Sequence, residues 1–217
     1  MGELRLYAIG IEEMRGIIGA GNQTPELRAA ADRAFAPAVS PKPRGLIAKL
    51  GPLFKRPPDA PVLSPTDPEP LDVDALLAGA YISPERTGAS WRVLEALTQY
   101  RCWGSTRMPL TLQSLDELDF ALARGGVAAA VGLGHLLASN TDVRLIPVPG
   151  LTVGWHRHDK ALAMAGAYRA AMPQIKSEEQ RELVSALATW LDGFIPWSQV
   201  AADLGRPVPD LVGFWAS

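Results

Sequence analysis

The residues best suited to chemistry lie in one short stretch, where His156 and His158 are two positions apart and Asp159 follows directly. On a β-strand, two residues at this spacing face the same side. Histidine is the commonest metal ligand and titrates near neutral pH. A metal site needs a further ligand, and the chain offers only His135 and scattered carboxylates. We therefore expect no metal, and we interpret Asp159 as the N-cap of the next helix.

The single cysteine, Cys102, has no neighbouring base that would activate it as a nucleophile. Beside Trp103, it is typical of a small buried hydrophobic residue. The sequence contains no nucleophile elbow, phosphate-binding loop or zinc-protease motif. The glycine pairs in 19–21 and 132–134 lack the third glycine and the preceding strand of a dinucleotide-binding fingerprint. These patterns indicate no catalytic residue and no cofactor.

Six tryptophans make the chain rich in large aromatic side chains. Trp91 and Trp190 fall on the apolar stripes of predicted helices. The others lie on predicted loops or strands, where they would either fill the core or line a ligand cleft or protein interface. With the two histidines they give the candidate binding residues Trp155, His156, His158, Trp197 and Trp215.

Composition limits the class of protein. A hydrophobic share of 47% with 20% charged residues is typical of a globular chain that buries a core. A net charge of -2 gives no bulk attraction to nucleic acid or to an anionic membrane. No apolar run approaches the ~20 residues that span a bilayer, and the charged N-terminus does not resemble a signal peptide. We therefore expect a cytoplasmic protein.

Strand-like and helical segments alternate in unequal blocks along the chain. Leu4–Ile9 and Asp210–Ala216 predict strands, and Val143–Val148 with Leu151–His156 predicts a hairpin turned by a Pro-Gly pair. Unequal helical blocks between strands argue against a regular βαβ repeat. We predict an α+β fold with a small, mainly antiparallel sheet packed with several helices, helix-rich overall.

Several helices have recognisable starts. Ser114 and Ser177 are each followed at the third position by Glu or Gln, which is a capping-box pattern. Thr24 before a proline and an acid predicts another start, and the Ala- and Gly-rich stretch 127–138 predicts a further helix.

Residues 37–70 differ from the flanking segments, because they hold ten of the nineteen prolines. Residues 1–36 then form the N-terminal strand and helices of a single domain, and residues 71–217 form its main α+β part. The intervening segment is either a surface excursion that folds back on the core or a docking segment for a partner. Its apolar residues are the candidate docking contacts: Leu46, Ile47, Leu50, Leu53 and Phe54.

Four runs carry a family resemblance: SWRVLEALTQ, SLDELDFALARGG, VRLIPVPGLTVGWHRHD and DLVGFWAS. They resemble a mainly actinobacterial domain family of unknown function. The opening MGELRLYAI is more distantly similar to the small YfbM-like cytosolic proteins. The resemblance implies the α+β fold and supplies no catalytic residue.

Two functional hypotheses follow. The first is a non-catalytic cytosolic module that binds another protein, such as an immunity or antitoxin-type factor. The alternative is a small enzyme or ligand-binding protein with a site near His156 and His158. Nucleic acid is not expected as a partner, and the sequence leaves the oligomeric state open.

Overall fold

A computed structural model describes residues 2–20, 25–36 and 67–217. The candidate docking residues Leu46, Ile47, Leu50, Leu53 and Phe54 lie outside the described residues, and so does the candidate cap Thr24.

Four strands form one sheet: β1 Glu3–Ile9, β2 Gly104–Pro109, β3 Leu151–His156 and β4 Asp210–Ala216. The strand order is β2-β1-β4-β3, and each neighbouring pair is antiparallel. The two central strands therefore come from opposite ends of the described chain. The prediction of an α+β fold with a small antiparallel sheet is confirmed.

Helices make up most of the remaining structure. In chain order they are α1 Ile11–Arg15, α2 Pro25–Ala34, α3 Pro70–Ala78, α4 Thr87–Arg101, α5 Leu112–Arg124, α6 Leu133–Ala138, α7 His158–Ala171, α8 Glu178–Leu191 and α9 Phe194–Asp203. Among the residues that the structure describes, no helix has both the length and the apolar character needed to cross a membrane.

Helices cover both faces of the sheet. Along β1, alternate residues such as Leu4 and Leu6 pack on one face, and Tyr7 and Ile9 pack on the other. The first group joins a core built from α5 to α9, here called the α5–α9 face. The second group joins a core built from α1 to α4, here called the α1–α4 face. From Leu6 to Ile9 every residue of β1 is buried, and this part of the strand is apolar or aromatic on both faces.

The predicted hairpin is wrong. β3 pairs with β4, and Val143–Val148 forms no strand. Pro147 lacks the N–H that a ladder requires, and the carbonyl of Ile146 instead accepts the indole N–H of Trp91 at 2.9 Å. The sheet takes its fourth strand from β2, whose sequence GSTRMP lacks apolar alternation and predicts no strand.

The predicted helix starts have mixed outcomes. Ser177 caps α8, since its hydroxyl accepts the backbone N–H of Gln180. The cap of α5 is Thr111 and not Ser114, because the Thr111 hydroxyl accepts the Ser114 N–H at 3.0 Å. Of the helix predicted over 127–138, only Leu133–Ala138 is α-helical. The Asp119 carboxylate fixes its later start by accepting two of its first N–H groups.

Asp159 is also not an N-cap. The helix α7 begins at His158, and Arg157 at the cap position makes no side-chain cap bond. The capping carboxylate comes from Asp210 at the start of β4, which accepts the backbone N–H of His158 through Oδ1 at 3.0 Å. Its other oxygen accepts the backbone N–H of Ile11 at 3.0 Å, so one side chain holds the starts of α1 and α7.

Candidate functional site

The two histidines have different surroundings, and a binding role for either stays a prediction. His156 ends β3 and is only 3% exposed, whereas His158 begins α7 and has different neighbours. The change from strand to helix between them ends the two-residue alternation that would have placed both on one face.

His158 has a structural environment. Its Nδ1 lies 3.1 Å from the Pro209 carbonyl, and Ser198 Oγ is 3.4 Å from both ring nitrogens. The Ser198 hydroxyl donates to the Phe194 carbonyl at 2.6 Å, and the nearby Asp210 carboxylate contacts backbone N–H groups. Ser198, His158 and Asp210 are the residue types of a serine hydrolase triad. In a triad the aspartate orients the histidine ring, but here the Asp210 carboxylate accepts backbone N–H groups instead.

The predicted tryptophans lie in different environments. Trp155 donates its indole N–H to the Asn140 carbonyl at 2.7 Å, and Trp215 is buried and donates to the Leu110 carbonyl at 2.8 Å. Trp197 packs against Phe194 with ring centroids 5.5 Å apart. A side chain at Gly104 or Gly193 would overlap the Trp197 ring, so the half-buried ring packs directly against the backbone at both glycines.

Trp155 and His156 meet at a cavity of about 480 Å³, here called the His156 pocket. Its lining residues are Ser139, Trp155, His156, Arg157, Asp159, Lys160 and Ala163. Within the described ranges, the buried Nε2 of His156 has no hydrogen-bond partner. Burial, aided by the positive charge of Lys160, lowers the pKa of His156 to about 4. The imidazole is therefore neutral near neutral pH.

A second cavity, of about 510 Å³, lies on the α1–α4 face between α4 and the first two strands. We call it the Glu95 cleft. Its polar and aromatic lining includes Arg5, Tyr7, Trp91, Glu95, Gln99 and Arg107. The strands supply Arg5, Tyr7 and Arg107, and one side of α4 supplies Trp91, Glu95 and Gln99 at intervals of four residues.

Glu95 is the centre of this cleft. It is only 9% exposed, and its Oε1 accepts the Tyr7 hydroxyl at 2.8 Å and lies 2.9 Å from Arg5 Nε. Burial raises the pKa of Glu95, with Arg5 and the Tyr7 hydrogen bond opposing that rise. Burial and the adjacent carboxylate also raise the pKa of Tyr7, so its hydroxyl stays protonated as a donor.

The second oxygen of Glu95 is available. Oε2 accepts no hydrogen bond from any residue in 2–20, 25–36 or 67–217, and it is not sealed from solvent. Because Tyr7 and Arg5 both contact Oε1, the carboxylate is held in place while Oε2 stays open to a bound molecule.

Arg107 adds a positive charge to the same cleft. It lies directly opposite Arg5 in the β1–β2 ladder, where like charges repel. Glu95 offsets the charge of Arg5, and Arg107 Nη2 donates to the neutral side chain of Gln99 at 3.1 Å. Among described residues, Arg107 forms no ion pair, so its guanidinium can bind an acidic group.

Sequence reasoning missed this cleft. Glu95 lies beside the apolar positions of α4, and a single acid in a helix is usually a solvated residue. The sequence pattern that points to the cleft lies in β1, where Arg5 and Tyr7 alternate with apolar residues, so that their side chains share one face. Neither the α4 pattern nor the β1 pattern shows that Glu95 contacts Tyr7, because that contact depends on the tertiary fold.

Cys102 and the metal-ligating residue types build no further reactive centre among the described residues. Cys102 Sγ donates to the Gln99 carbonyl at 3.2 Å, and burial raises the pKa of the thiol to about 11, which keeps it protonated. Within the described ranges, His, Cys, Asp and Glu side chains form no group of three that could hold a metal ion.

Comparisons with known proteins give a family and no function. No curated protein and no solved structure shows significant similarity to the chain. The profile of one domain family of unknown function matches residues 1–216, which is nearly the whole sequence. This chain therefore belongs to the domain family of unknown function DUF7691.

Proposed function

We propose that this protein binds a small molecule in the Glu95 cleft. The observation that carries the proposal is the state of Glu95: it is buried and held through Oε1 by Tyr7 and Arg5, and no described residue donates to Oε2. Tyr7 and Arg5 hold the carboxylate in position, and Oε2 keeps its lone pairs for a donor of a bound molecule.

The walls of the cleft support this function. Small-molecule sites are concave, mostly apolar and carry a few convergent polar groups. The Glu95 cleft has apolar walls from Trp91, Phe35 and Leu151, and its polar groups gather around Glu95. Ionisable groups with a shifted pKa inside a cleft are common at binding sites, and Glu95 and Tyr7 are two such groups.

A thermal melt in the presence of a metabolite panel tests the proposal. We expect at least one compound to raise the melting temperature of the wild-type protein and to lose its effect in Glu95→Gln. The matched control is Glu182→Gln, which makes the same chemical change at an exposed position on α8. If every compound shifts the melting temperature equally in Glu95→Gln and Glu182→Gln, the result contradicts a site at Glu95.

Protein binding through residues 37–70 remains a prediction from the sequence, as does an immunity or antitoxin role. Support comes from the proline content and the apolar cluster Leu46, Ile47, Leu50, Leu53 and Phe54. Replacing these five residues by serine should remove a specific partner in pull-downs from the native host. Recovery of the same partners by both forms contradicts the docking role. A cytoplasmic location also remains a prediction.

A further inference from the structure

We infer that the ligand of the Glu95 cleft is a small amphoteric molecule, an α-amino acid with an apolar side chain. The inference rests on the proposed function and assigns one cleft group to each part of the ligand. Oε2 of Glu95 takes the ammonium group, Arg107 takes the carboxylate, and the apolar wall takes the side chain.

The ammonium group fits Glu95. Oε1 already accepts from Tyr7 and contacts Arg5, and no described residue donates to Oε2, so the lone pairs of Oε2 are available to a donor group of the ligand. Burial disfavours the charged carboxylate, and a cationic donor at Oε2 offsets that cost. A neutral donor at this oxygen compensates less, and an anionic group repels the carboxylate.

The carboxylate fits Arg107. Arginine presents a planar set of donors that matches a carboxylate, and Arg107 uses one nitrogen on the neutral Gln99 side chain. A ligand carboxylate also relieves the repulsion between Arg107 and Arg5, which face each other across two strands. The other cleft arginine, Arg92, already contacts Asp67 at 2.7 Å.

The side chain fits the apolar wall. Trp91 donates its indole N–H to the Ile146 carbonyl and packs against Phe214, so only the small exposed part of its ring adds apolar surface to the cleft. Phe35, Val148 and Leu151 continue this wall. A cavity of about 510 Å³ is large enough for a single amino acid.

Calorimetry on the full chain with three matched compounds tests the inference. Phenylalanine carries both charged groups, phenethylamine lacks the carboxylate, and 3-phenylpropanoate lacks the amine. We expect phenylalanine to bind at least about tenfold more tightly than either analogue, since each loses a charge-assisted contact.

Two variants assign the contacts. Glu95→Gln should abolish the preference for phenylalanine over 3-phenylpropanoate and keep the preference over phenethylamine. Arg107→Gln should do the reverse, and thermal melts of both variants check that they are folded. Equal or tighter binding of a single-charge analogue overturns the inference.

The test separates the two proposals. If no amino acid binds but another compound binds in a Glu95-dependent way, the inference fails and the proposed function stands. If no compound shows any dependence on Glu95, both fail.

Discussion

The Glu95 cleft and the His156 pocket hold buried ionisable groups on opposite faces of one sheet, and the two groups have opposite surroundings. Glu95 has two partners on one oxygen and an open second oxygen. His156 is buried more completely, yet its Nε2 has no partner among the residues described. Burial shifts both pKa values toward the neutral form.

The difference shows that a buried polar group can be held in position by its neighbours, as Glu95 is, or can lack such contacts, as His156 does. Supporting contacts fix the Glu95 carboxylate in a cleft with complementary charges nearby, which is the arrangement of a binding site. Among the described residues no side chain supports Nε2 of His156, and its ring lies beside His135 with ring centroids 5.3 Å apart. Burial alone therefore does not identify a functional residue.

The largest expected effect comes from removing the central carboxylate. Glu95→Ala leaves Arg5 beside Arg107 with only the exposed Glu3 carboxylate, 3.6 Å from Arg5 Nε, as a compensating charge, and we expect a loss of about 3 kcal/mol in the free energy of unfolding. Urea denaturation at pH 7 measures it. A loss below about 1 kcal/mol would mean that solvent compensates Arg5, since exposed pairs contribute about that little.

The next effect compares two buried tyrosines, one on each face. Tyr7 donates to the Glu95 carboxylate at 2.8 Å, and Tyr168 donates to the Val131 carbonyl at 3.0 Å. Replacement by Phe should cost about 2 kcal/mol at Tyr7 and about 1 kcal/mol at Tyr168, because bonds to charged groups are stronger. Only Tyr7→Phe should also weaken ligand binding, because Tyr168 lies on the other face. Equal effects of the two variants on binding would argue against the Glu95 cleft.

The third effect is a pH dependence with opposite signs at the two sites. The pKa of His156 is about 4 in the folded state against 6.5 ordinarily, so the unfolded chain binds more protons between these values. Stability from His156 is then lost as pH falls through this window, by at most about 1.4 kcal/mol per pH unit. The raised pKa of Glu95 acts in reverse: its contribution is lost as pH rises above the usual carboxyl range.

Unfolding measured between pH 4 and 7 in two variants separates these contributions. His156→Leu should flatten the acid-side loss, and Glu95→Gln should remove the loss that accompanies rising pH. If both variants keep the wild-type profile, neither group controls the stability in this range.

The smallest effect is expected from His156→Leu at pH 7, within about 1 kcal/mol of the wild type. A buried polar atom without a partner contributes little, and an apolar side chain of similar volume can replace it. Ligand binding in the Glu95 cleft should be unchanged. Loss of binding in His156→Leu alone would move the candidate site to the His156 pocket.

Much of the fold could be predicted from local patterns. The apolar segments of β1 and β4 and the Ser177 cap of α8 are confirmed, because their signals lie within a few residues. The edge strand β2 was missed, because a strand exposed along much of its length has no apolar alternation to detect. The strand predicted at Val143–Val148 was wrong for a different reason. Its apolar residues pack into the core, but its backbone joins no strand ladder.

The candidate cleft could not be predicted from the sequence. Tyr7 and Glu95 are 88 positions apart, and no local rule relates them. The sequence did select Trp155 and His156, which share a cavity, but it also grouped His158 with them. The helix that starts at His158 depends on Asp210, which is 52 positions away, so its start could not be located from nearby residues.

The pairing of β1 with β4 has a consequence for the order of events during synthesis. β1 is made first and can pair with β2 once residue 109 has left the ribosome, but its other neighbour is β4, where Glu3 meets Ala216. The centre of the sheet therefore closes only after every residue between Glu3 and Ala216 has been made. Closing so long a loop favours slow folding, and until then one side of β1 is a bare, apolar edge that a chaperone or another chain can occupy.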